Sequence, residues 1–275
     1  MHARLEEDNA EPILDVDSLH VQFGEQTVLR DVSIKIPRGQ TLAIIGESGC
    51  GKTVLLKSMI ALIKPTQGTI AFDGKNLQQI SERELTRERI RFGFVFQGAA
   101  LFDSMTIGQN VAFPLKQHTR KPIEEIRQIV FSLLADVGLP DSIVWKKPAE
   151  LSGGMQKRVG LARSLALTPE VMLYDEPTTG LDPIMSDVIN ELILRTRSRY
   201  PVTSIVVTHD MRTARKVADR VLMLYPASRL KGDEPQILYD GPPEGLDDCQ
   251  DRRVTQFVHG EAGERIMEMR EAAGV

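Results

Sequence analysis

The residues of this chain that are best suited to chemistry form one short run, which matches the phosphate-binding pattern G-x-x-x-x-G-K-[ST]. The run reads Gly46-Glu47-Ser48-Gly49-Cys50-Gly51-Lys52-Thr53. Residues 42–45 before it are apolar like a buried strand, and residues 54–63 after it favour a helix, as the pattern requires. Glycines let backbone N–H groups turn toward phosphate oxygens, while Lys52 reaches the β- and γ-phosphates and Thr53 binds Mg²⁺. The run predicts a nucleotide site.

Two adjacent acids, Asp175 and Glu176, end a second apolar run at residues 171–174. In a parallel α/β sheet, ligands bind beyond the carboxyl ends of the strands, so Asp175 is expected beside the phosphate-binding run. It is suited to hold Mg²⁺ directly or through water, and Glu176 is suited to orient and deprotonate an attacking water. The simpler alternative is a pair of solvated acids at a strand end.

Four further features are unremarkable when each is taken alone. Residues 151–154 read Leu-Ser-Gly-Gly before a predicted helix, which makes a good N-cap and also an anion-binding arrangement. Gln97 and His209 each follow a predicted strand, where a polar residue is usually structural, and Asp182 follows Gly180-Leu181. Their order along the chain, together with the phosphate-binding run, is what gives them meaning.

The ordered set resembles the ATP-binding-cassette (ABC) family over roughly residues 13–230, and the Leu-Ser-Gly-Gly segment makes the match specific. The resemblance implies that the eight residues of the run bind ATP, with Gln97 beside them. It also implies that Thr53, Gln97 and Asp175 hold Mg²⁺. Glu176 would be the catalytic base and His209 the residue that contacts the γ-phosphate, with Lys52 and Gln97 also serving catalysis. Phe23 would stack on adenine, or would be an ordinary aromatic of a hairpin core.

The same resemblance places Ser152, Gly153 and Gly154 on the ATP held by a second subunit, and makes Asp182 part of the loop that joins the two sites. It therefore implies a head-to-tail homodimer around two ATP molecules. Met155 stands where the family usually has Gln, and Thr179-Gly180 stands where Ser-Ala is often seen. Both departures are mild, because the serine and the glycines that bind phosphate remain.

Periodicity and turn residues indicate an α/β fold. Residues 13–21 and 28–36 read as a strand–turn–strand unit, and later strands alternate with helices, which indicates a parallel sheet. We expect a P-loop NTPase (RecA-like) core at residues 13–97 and 169–230, with an N-terminal antiparallel β subdomain. A helical subdomain is expected at 98–168, with helices at 123–137 and 153–167. Residues 1–12 form a tail, and residues 231–275 form an extension with a last helix at 265–273.

Bulk properties exclude several classes of protein. The 275 residues carry a net charge of −4 with a pI of about 5.8, which argues against a nucleic-acid partner. No run approaches the roughly 18 apolar residues of a membrane span, and the acidic residues 1–8 lack the apolar core of a secretory signal. Cys50 and Cys249 lie far apart, which favours a reducing location over a disulfide. Cys50 is either a reactive thiol of lowered pKa near a helix N-terminus or small filler.

What the expected dimer drives has several interpretations. The first is the ATPase subunit of a transporter with a separate membrane permease, lying on the cytoplasmic face of the inner membrane. Soluble ABC ATPases of ribosomes or DNA, and kinases or GTPases, fit less well, because the chain has one cassette, no long coiled-coil insert and the Leu-Ser-Gly-Gly segment. Residues 98–107 and 110–115 would form a groove for a permease helix, or would pack within the insert.

The wording of those segments, and of residues 251–260, is similar to Mla-type and Mce-associated ATPases, which move phospholipids or related lipids between membranes. The similarity implies a permease, an Mce-domain lipid-binding protein and, in some systems, a small regulatory subunit. It also suggests that the C-terminal tail reaches the partner ATPase. Transport of another solute is the alternative.

Overall fold

Two β-sheets organise the chain in the computed structural model, which describes residues 11–262. The first sheet is antiparallel, in the order β2-β1-β4-β5. Its strands are β1 (Leu14–Phe23), β2 (Gln26–Ile36), β4 (Gln67–Phe72) and β5 (Lys75–Asn76). From Val32 to Ile36, alternate side chains of β2 are buried, as the apolar–polar alternation predicts. The predicted N-terminal antiparallel subdomain is confirmed.

The second sheet has six strands in the order β10-β9-β3-β8-β7-β6, and only the β9–β10 pair is antiparallel. These strands are β3 (Thr41–Ile45), β6 (Phe92–Val95), β7 (Val171–Asp175), β8 (Thr203–Val207), β9 (Arg220–Leu224) and β10 (Ile237–Gly241). Every residue of β3, β7 and β8 is buried, which explains their uninterrupted apolar runs. The predicted parallel-sheet core is confirmed, and the carboxyl ends of β3, β6, β7 and β8 meet at one edge.

Helices connect and cover the sheets. They are α1 (Lys52–Met59), α2 (Glu82–Arg89), α3 (Ile107–His118), α4 (Ile123–Asp136), α5 (Gly153–Leu165), α6 (Pro183–Arg199), α7 (Met211–Val217) and α8 (Arg252–His259). Helices α3, α4 and α5 form the helical insert, within which they pack on one another. No helix among residues 11–262 is long and apolar enough to cross a membrane.

Helix α3 is an element that the sequence analysis did not assign. Its run contains Pro114, which normally argues against a helix interior. A capping box at Thr106 and Gln109 starts the helix, and the buried Asn110 Nδ2 donates to the carbonyls of Phe102 and Thr106 at 3.1 and 3.0 Å. These bonds hold the first turn in place, and the buried Ile107, Val111 and Leu115 pack the helix into the insert despite the proline.

The C-terminal extension, which the sequence analysis begins at residue 231, contributes to the core. Strand β10 pairs with β9, and Gln236 just before it is 2% exposed. The Gln236 Nε2 atom donates to the carbonyls of Val28, Cys50 and Tyr225, at 2.9, 3.3 and 3.0 Å. One buried amide thereby links the extension to both the β-hairpin and the phosphate-binding run. The helix predicted at 265–273 lies outside the described residues.

Candidate active site

The phosphate-binding run forms a tight loop between β3 and α1. At Gly46 the backbone φ is 144°, and a Cβ atom there would lie 2.2 Å from the carbonyl oxygen of Leu224. No side chain fits that space, so the first glycine of the pattern is required by close packing against β9. Gly51 has a φ of 103° and immediately precedes α1, whose first residue is Lys52. The N-terminal N–H groups of α1 therefore open toward the loop, as an anion site requires.

Lys52 is nearly buried inside this loop. Its Nζ atom donates to the carbonyl oxygens of Gly46 and Glu47, at 2.8 and 2.9 Å. Backbone carbonyls are weaker partners for an ammonium than phosphate oxygens are, because a phosphate oxygen carries the opposite charge and a carbonyl is neutral. Lys52 therefore lies beside the expected phosphate position with partners that phosphate oxygens can replace.

Thr53 and Asp175 meet where α1 begins and β7 ends. The Thr53 hydroxyl donates to Asp175 Oδ1 at 2.8 Å, and burial raises the pKa of Asp175 while this bond opposes the shift. Because burial disfavours the charged form of Asp175, a nearby cation would stabilise that carboxylate. Hydroxyl, carboxylate and amide oxygens are hard ligands, so this pair, together with Gln97, fits Mg²⁺ chemically.

Glu176 has an unusual backbone conformation. Its φ is 50°, which is the left-handed region, and costs a residue with a Cβ roughly 1–2 kcal/mol. Its N–H donates to the carbonyl of Val207 at 2.9 Å. Its Oε2 atom lies 2.8 Å from His209 Nδ1 and accepts a hydrogen bond from the Thr179 hydroxyl at 3.1 Å. Strain at a polar residue over the sheet edge is typical of a functional position.

The contact between Glu176 and His209 was not predicted, although both residues were singled out separately. Thr179, which the sequence analysis noted only as a departure from the family wording, supplies the second bond to the Glu176 carboxylate. Its spacing of three residues from Glu176 was the available signal, since a turn brings such side chains together. The three side chains form one polar cluster at the ends of β7 and β8.

An open cavity of about 510 Å³ unites most of the predicted site residues. Its lining includes Phe23, Val28, Ser48, Gly49, Gly51, Lys52, Thr53, Gln97, Glu176 and His209. Phe23 is 51% exposed, so its interpretation as an ordinary hairpin core residue is wrong. A ring kept in solvent at the rim of a phosphate site is well placed to stack on a base.

The Leu-Ser-Gly-Gly segment lies elsewhere. Ser152 caps α5 by accepting a bond from the Met155 N–H at 3.3 Å, and both Ser152 and Gly153 are exposed. Gly154 is buried, since a Cβ there would come 2.9 Å from Met185 Cε. Among residues 11–262, none of this segment lines the cavity around Lys52.

Asp182 has a clear local role. Its Oδ1 atom accepts hydrogen bonds from the N–H groups of Ile184 and Met185, both at 3.0 Å, and so caps α6. It does not line the cavity around Lys52. Asp182 and the Leu-Ser-Gly-Gly segment are thus the predicted site residues that a single chain does not bring to the phosphate loop.

Cys50 corrects one hypothesis. The thiol is 1% exposed, and burial raises its pKa, against the smaller opposite effect of the nearby Lys52. The interpretation as a reactive thiol of lowered pKa is therefore wrong. The helix N-terminus lies close by, but removal from water outweighs it. Cys50 is small filler beneath Gly46.

A second, largely apolar groove of about 440 Å³ lies between β6 and the helical insert, and the segment after Gln97 contributes to it. Phe102, Phe113 and Pro114 line the groove, and Phe102 is 41% exposed. Ile107 and Val111 from the same segment are fully buried in the insert. Some side chains of residues 98–107 and 110–115 thus line a groove, while others pack within the insert, and a permease helix in that groove stays a prediction.

Comparisons with known proteins agree with this geometry. The family model described as "ABC transporter" matches residues 29–179. The chain is 40% identical over 247 residues to the "Probable ribonucleotide transport ATP-binding protein mkl" of Mycobacterium tuberculosis (strain H37Rv), covering 90% of this chain. It spans 66% of that relative's length, just under two thirds.

Another relative matches over nearly its whole length. The "Intermembrane phospholipid transport system ATP-binding protein MlaF" of Haemophilus influenzae is 39% identical over 250 residues, which is 91% of both chains. A solved dimeric structure of the ATP-binding cassette MJ0796 bound to ADP and Pi is 30% identical, with a TM-score of 0.75 over 84% of this chain and 98% of that one. The chain therefore belongs to the ABC transporter family.

Proposed function

We propose that this chain is the ATPase subunit of a phospholipid transporter, and that it works as a head-to-tail homodimer around two ATP molecules. The observation that carries the proposal is the division of the site. Lys52, Glu176 and His209 line one cavity at the sheet edge and Asp175 bonds to Thr53 of its lining, whereas Ser152 lies exposed and outside that cavity. A second copy can supply the missing donors, and the solved dimeric cassette at 30% identity supports that arrangement.

The residues have the following proposed roles. Bound ATP and Mg²⁺ supply the phosphoanhydride and a neutralising charge. Lys52 would exchange its two carbonyl partners for phosphate oxygens, and Thr53, Gln97 and Asp175 would hold Mg²⁺. Glu176, already oriented by Thr179 and His209, accepts the proton of the attacking water.

The dimer would then respond to nucleotide. Preorganised donors such as the Ser152 cap and the N–H groups of α5 typically contribute about 3–4 kcal/mol each to transition-state stabilisation. A single chain lacks them at its own phosphate loop and should hydrolyse ATP poorly. ATP thus favours the paired state, and loss of the γ-phosphate contacts lets the copies separate.

Mixing two inactive variants tests the shared site. Ser152→Arg and Glu176→Gln should each lose hydrolysis by about 10²–10³-fold when pure. A mixed dimer regenerates one complete site, which joins the intact phosphate loop of the Ser152→Arg copy to the intact segment of the other. Equal mixing should restore roughly a quarter of the unaltered rate, since half of the dimers are mixed and each has one working site.

The control for that mixture is the double variant, with both changes in one chain, measured alone and mixed with each single variant. No such combination contains a complete site, so none should recover activity. ATP binding to the unpaired Ser152→Arg chain should be unchanged, because Ser152 does not line that chain's own cavity. Full activity of pure Ser152→Arg would refute the shared site.

The coupling partner is proposed from the second groove. A permease helix would lie against Phe102, Phe113 and Pro114, where the apolar surface is continuous with β6. Such contact would place the chain at the cytoplasmic face of the inner membrane. An Mce-domain protein, a small regulatory subunit and contact of the C-terminal tail with the other ATPase belong to the same proposal.

Phospholipid is proposed as the cargo because MlaF matches over 91% of both chains, whereas the chain spans 66% of the relative named for ribonucleotide transport. That second name is the competing candidate. The chain would be reconstituted in liposomes with a candidate membrane permease. ATP-dependent transfer of a fluorescent phospholipid, absent with Glu176→Gln, supports the proposal, whereas stimulation by ribonucleotides without lipid transfer supports the alternative.

A further inference from the structure

Lys157 is a buried cation that the mechanism above does not use. It lies on α5, five residues after Ser152, and is 8% exposed. Its Nζ atom donates to the carbonyl of Pro177 at 2.9 Å and to the carbonyl of Glu176 at 3.4 Å. The helix that begins with the Leu-Ser-Gly-Gly segment is therefore bonded to the backbone of the loop after β7, by a short bond to Pro177 and a longer one to Glu176, the proposed catalytic base.

Burial makes this an expensive contact. Removal from water lowers the pKa of Lys157, and the carboxylate of Glu176 only partly opposes that effect. A methionine would fill a similar space without a charge to desolvate. The bond of Lys157 to the loop is thus a directed polar contact in a place where an apolar side chain would pack at lower cost.

Glu176 is anchored from two sides. Its N–H is fixed to Val207 on β8, which belongs to the sheet, and its carbonyl faces Lys157 on α5, which belongs to the helical insert. Between these anchors its backbone keeps the strained φ of 50°. A small shift of α5 relative to the sheet would therefore change the direction of the Glu176 carboxylate.

The N-terminus of α5, one helical turn before Lys157, is exposed. Ser152 and Gly153 are exposed, and Gly154 packs against Met185 of α6. Lys157 lies four residues after Gly153, one helical turn away and on the same face. A displacement of the first turn of α5 would therefore also displace Lys157, because a helical turn moves as a rigid unit.

We propose that Lys157 is a positioning residue that couples the two nucleotide sites of the dimer. ATP held by the partner copy engages the first turn of α5, and Lys157 passes the resulting shift to Glu176, which acts on this chain's own ATP. This inference rests on the proposed function, since it requires the shared site. It predicts that occupancy of one site raises the turnover of the other.

The test is the dependence of ATPase rate on ATP concentration in Lys157→Met. The unaltered dimer should show a Hill coefficient above one, whose upper limit is the number of sites. Lys157→Met should bring the Hill coefficient to one and lower kcat by about tenfold, the effect of misplacing a general base. ATP binding to the single chain should not change, because Lys157 does not line the phosphate cavity.

Arg158→Met is the matched control. Its guanidinium leaves the same helix one residue later and donates to the carbonyls of Val137 and Gly138, at 3.3 and 2.9 Å, which belong to the helical insert. It should alter stability without altering the Hill coefficient. Equal effects of both variants on kcat with an unchanged Hill coefficient would reduce Lys157 to a structural role and overturn the proposal.

Lys157→Gln keeps a donor without the charge, and should recover part of the cooperativity. It also carries the test should Lys157→Met not fold, which thermal melting would reveal. Wild-type cooperativity in Lys157→Gln and Lys157→Met, or a Hill coefficient of one in the unaltered dimer, would overturn the proposal. The mixing experiment tests the shared site separately. If mixed variants regenerate activity while Lys157→Met keeps the kcat and the Hill coefficient of the unaltered dimer, the role of Lys157 is refuted and the shared site stands.

Discussion

The two ends of the parallel sheet differ in how they treat charge. At the amino ends of β6 and β7, Arg91 donates hydrogen bonds to three carboxylates. The distances are 2.6 Å to Asp73 and 2.7 Å to Glu88, and the two bonds to Glu170 measure 2.5 and 2.8 Å. Arg38 adds ion pairs to Asp73 and Glu170. We call these five residues the ion network. Every charge in it has an opposite charge beside it.

At the carboxyl ends of β3 and β7, the charged groups Lys52 and Asp175 bond to neutral partners. Lys52 bonds to carbonyls, Asp175 bonds to a hydroxyl, and Glu176 holds a strained backbone. These groups keep their charge available for a ligand. The contrast teaches that one sheet can gain stability at one end while it holds reactive groups at the other, because the two ends lie a full strand length apart.

Glu176→Gln should give the largest effect, and it acts at the carboxyl end alone. The amide keeps the size of the side chain and can still meet Thr179 and His209, but it cannot accept a proton. We expect kcat to fall by about 10³-fold. Stopped-flow or steady-state hydrolysis would measure it, with ATP binding and dimerisation retained.

The unfolding temperature of Glu176→Gln should stay close to that of the unaltered chain, because the ion network is untouched. Asp136→Asn serves as the control for a carboxylate that bonds to Arg199 and Tyr200 far from the cavity, and should leave kcat unchanged. Near-normal hydrolysis by Glu176→Gln would remove Glu176 from the role of base.

Arg91→Met should give the converse result. It leaves Asp73, Glu88 and Glu170 without their shared partner, and Glu88 is 6% exposed. We expect a loss of about 2 kcal/mol in the free energy of unfolding, discounted from fully buried pairs because Arg91 is partly exposed. Arg38→Met, which removes a more exposed cation from two of the same carboxylates, should lose less. Urea unfolding would measure both, and kcat below the transition should persist.

The pH dependence of that loss has a definite sign. Bonds from Arg91 lower the pKa of Asp73 and of Glu170 in the folded chain. Their contribution to stability is therefore complete above their unfolded pKa values, and disappears as pH falls through the folded ones. The difference between the unaltered chain and Arg91→Met should be full at neutral pH and shrink below about pH 4. A difference independent of pH would show that packing, not charge, is lost.

Much of the carboxyl end could be predicted from sequence because its signals are local. Glycine spacing fixes the loop at Gly46, and the apolar run before Asp175 fixes β7, whose five residues are all buried. Order along the chain then identifies Ser152 and His209. Even so, the contact between Glu176 and His209 joins residues far apart in sequence, and no local pattern reports it.

The amino end could not be predicted, for the same physical reason. Asp73, Glu88, Arg91 and Glu170 are ordinary charged residues in sequence, and only the tertiary fold makes them neighbours. Gln236 is a similar case, since its four bonds reach into three other segments of the chain. Helix α3 could not be predicted because Pro114 disfavours a helix interior, and only tertiary contacts override that local preference.

Labelling of the cysteines should have the smallest effect on activity. It sharpens the comparison because Cys50 is buried although it lies at the carboxyl end of the sheet, beside the cavity. Its thiol is 1% exposed with a raised pKa, whereas Cys249 is only partly buried. In the native chain at pH 8, iodoacetamide should modify Cys249 at least about tenfold faster than Cys50, as peptide mass spectrometry would show. ATPase activity should survive that labelling, since Cys249 does not line the phosphate cavity. Rapid labelling of Cys50 with loss of hydrolysis would mean that the loop opens readily in solution, and that packing beneath Gly46 does not hold it.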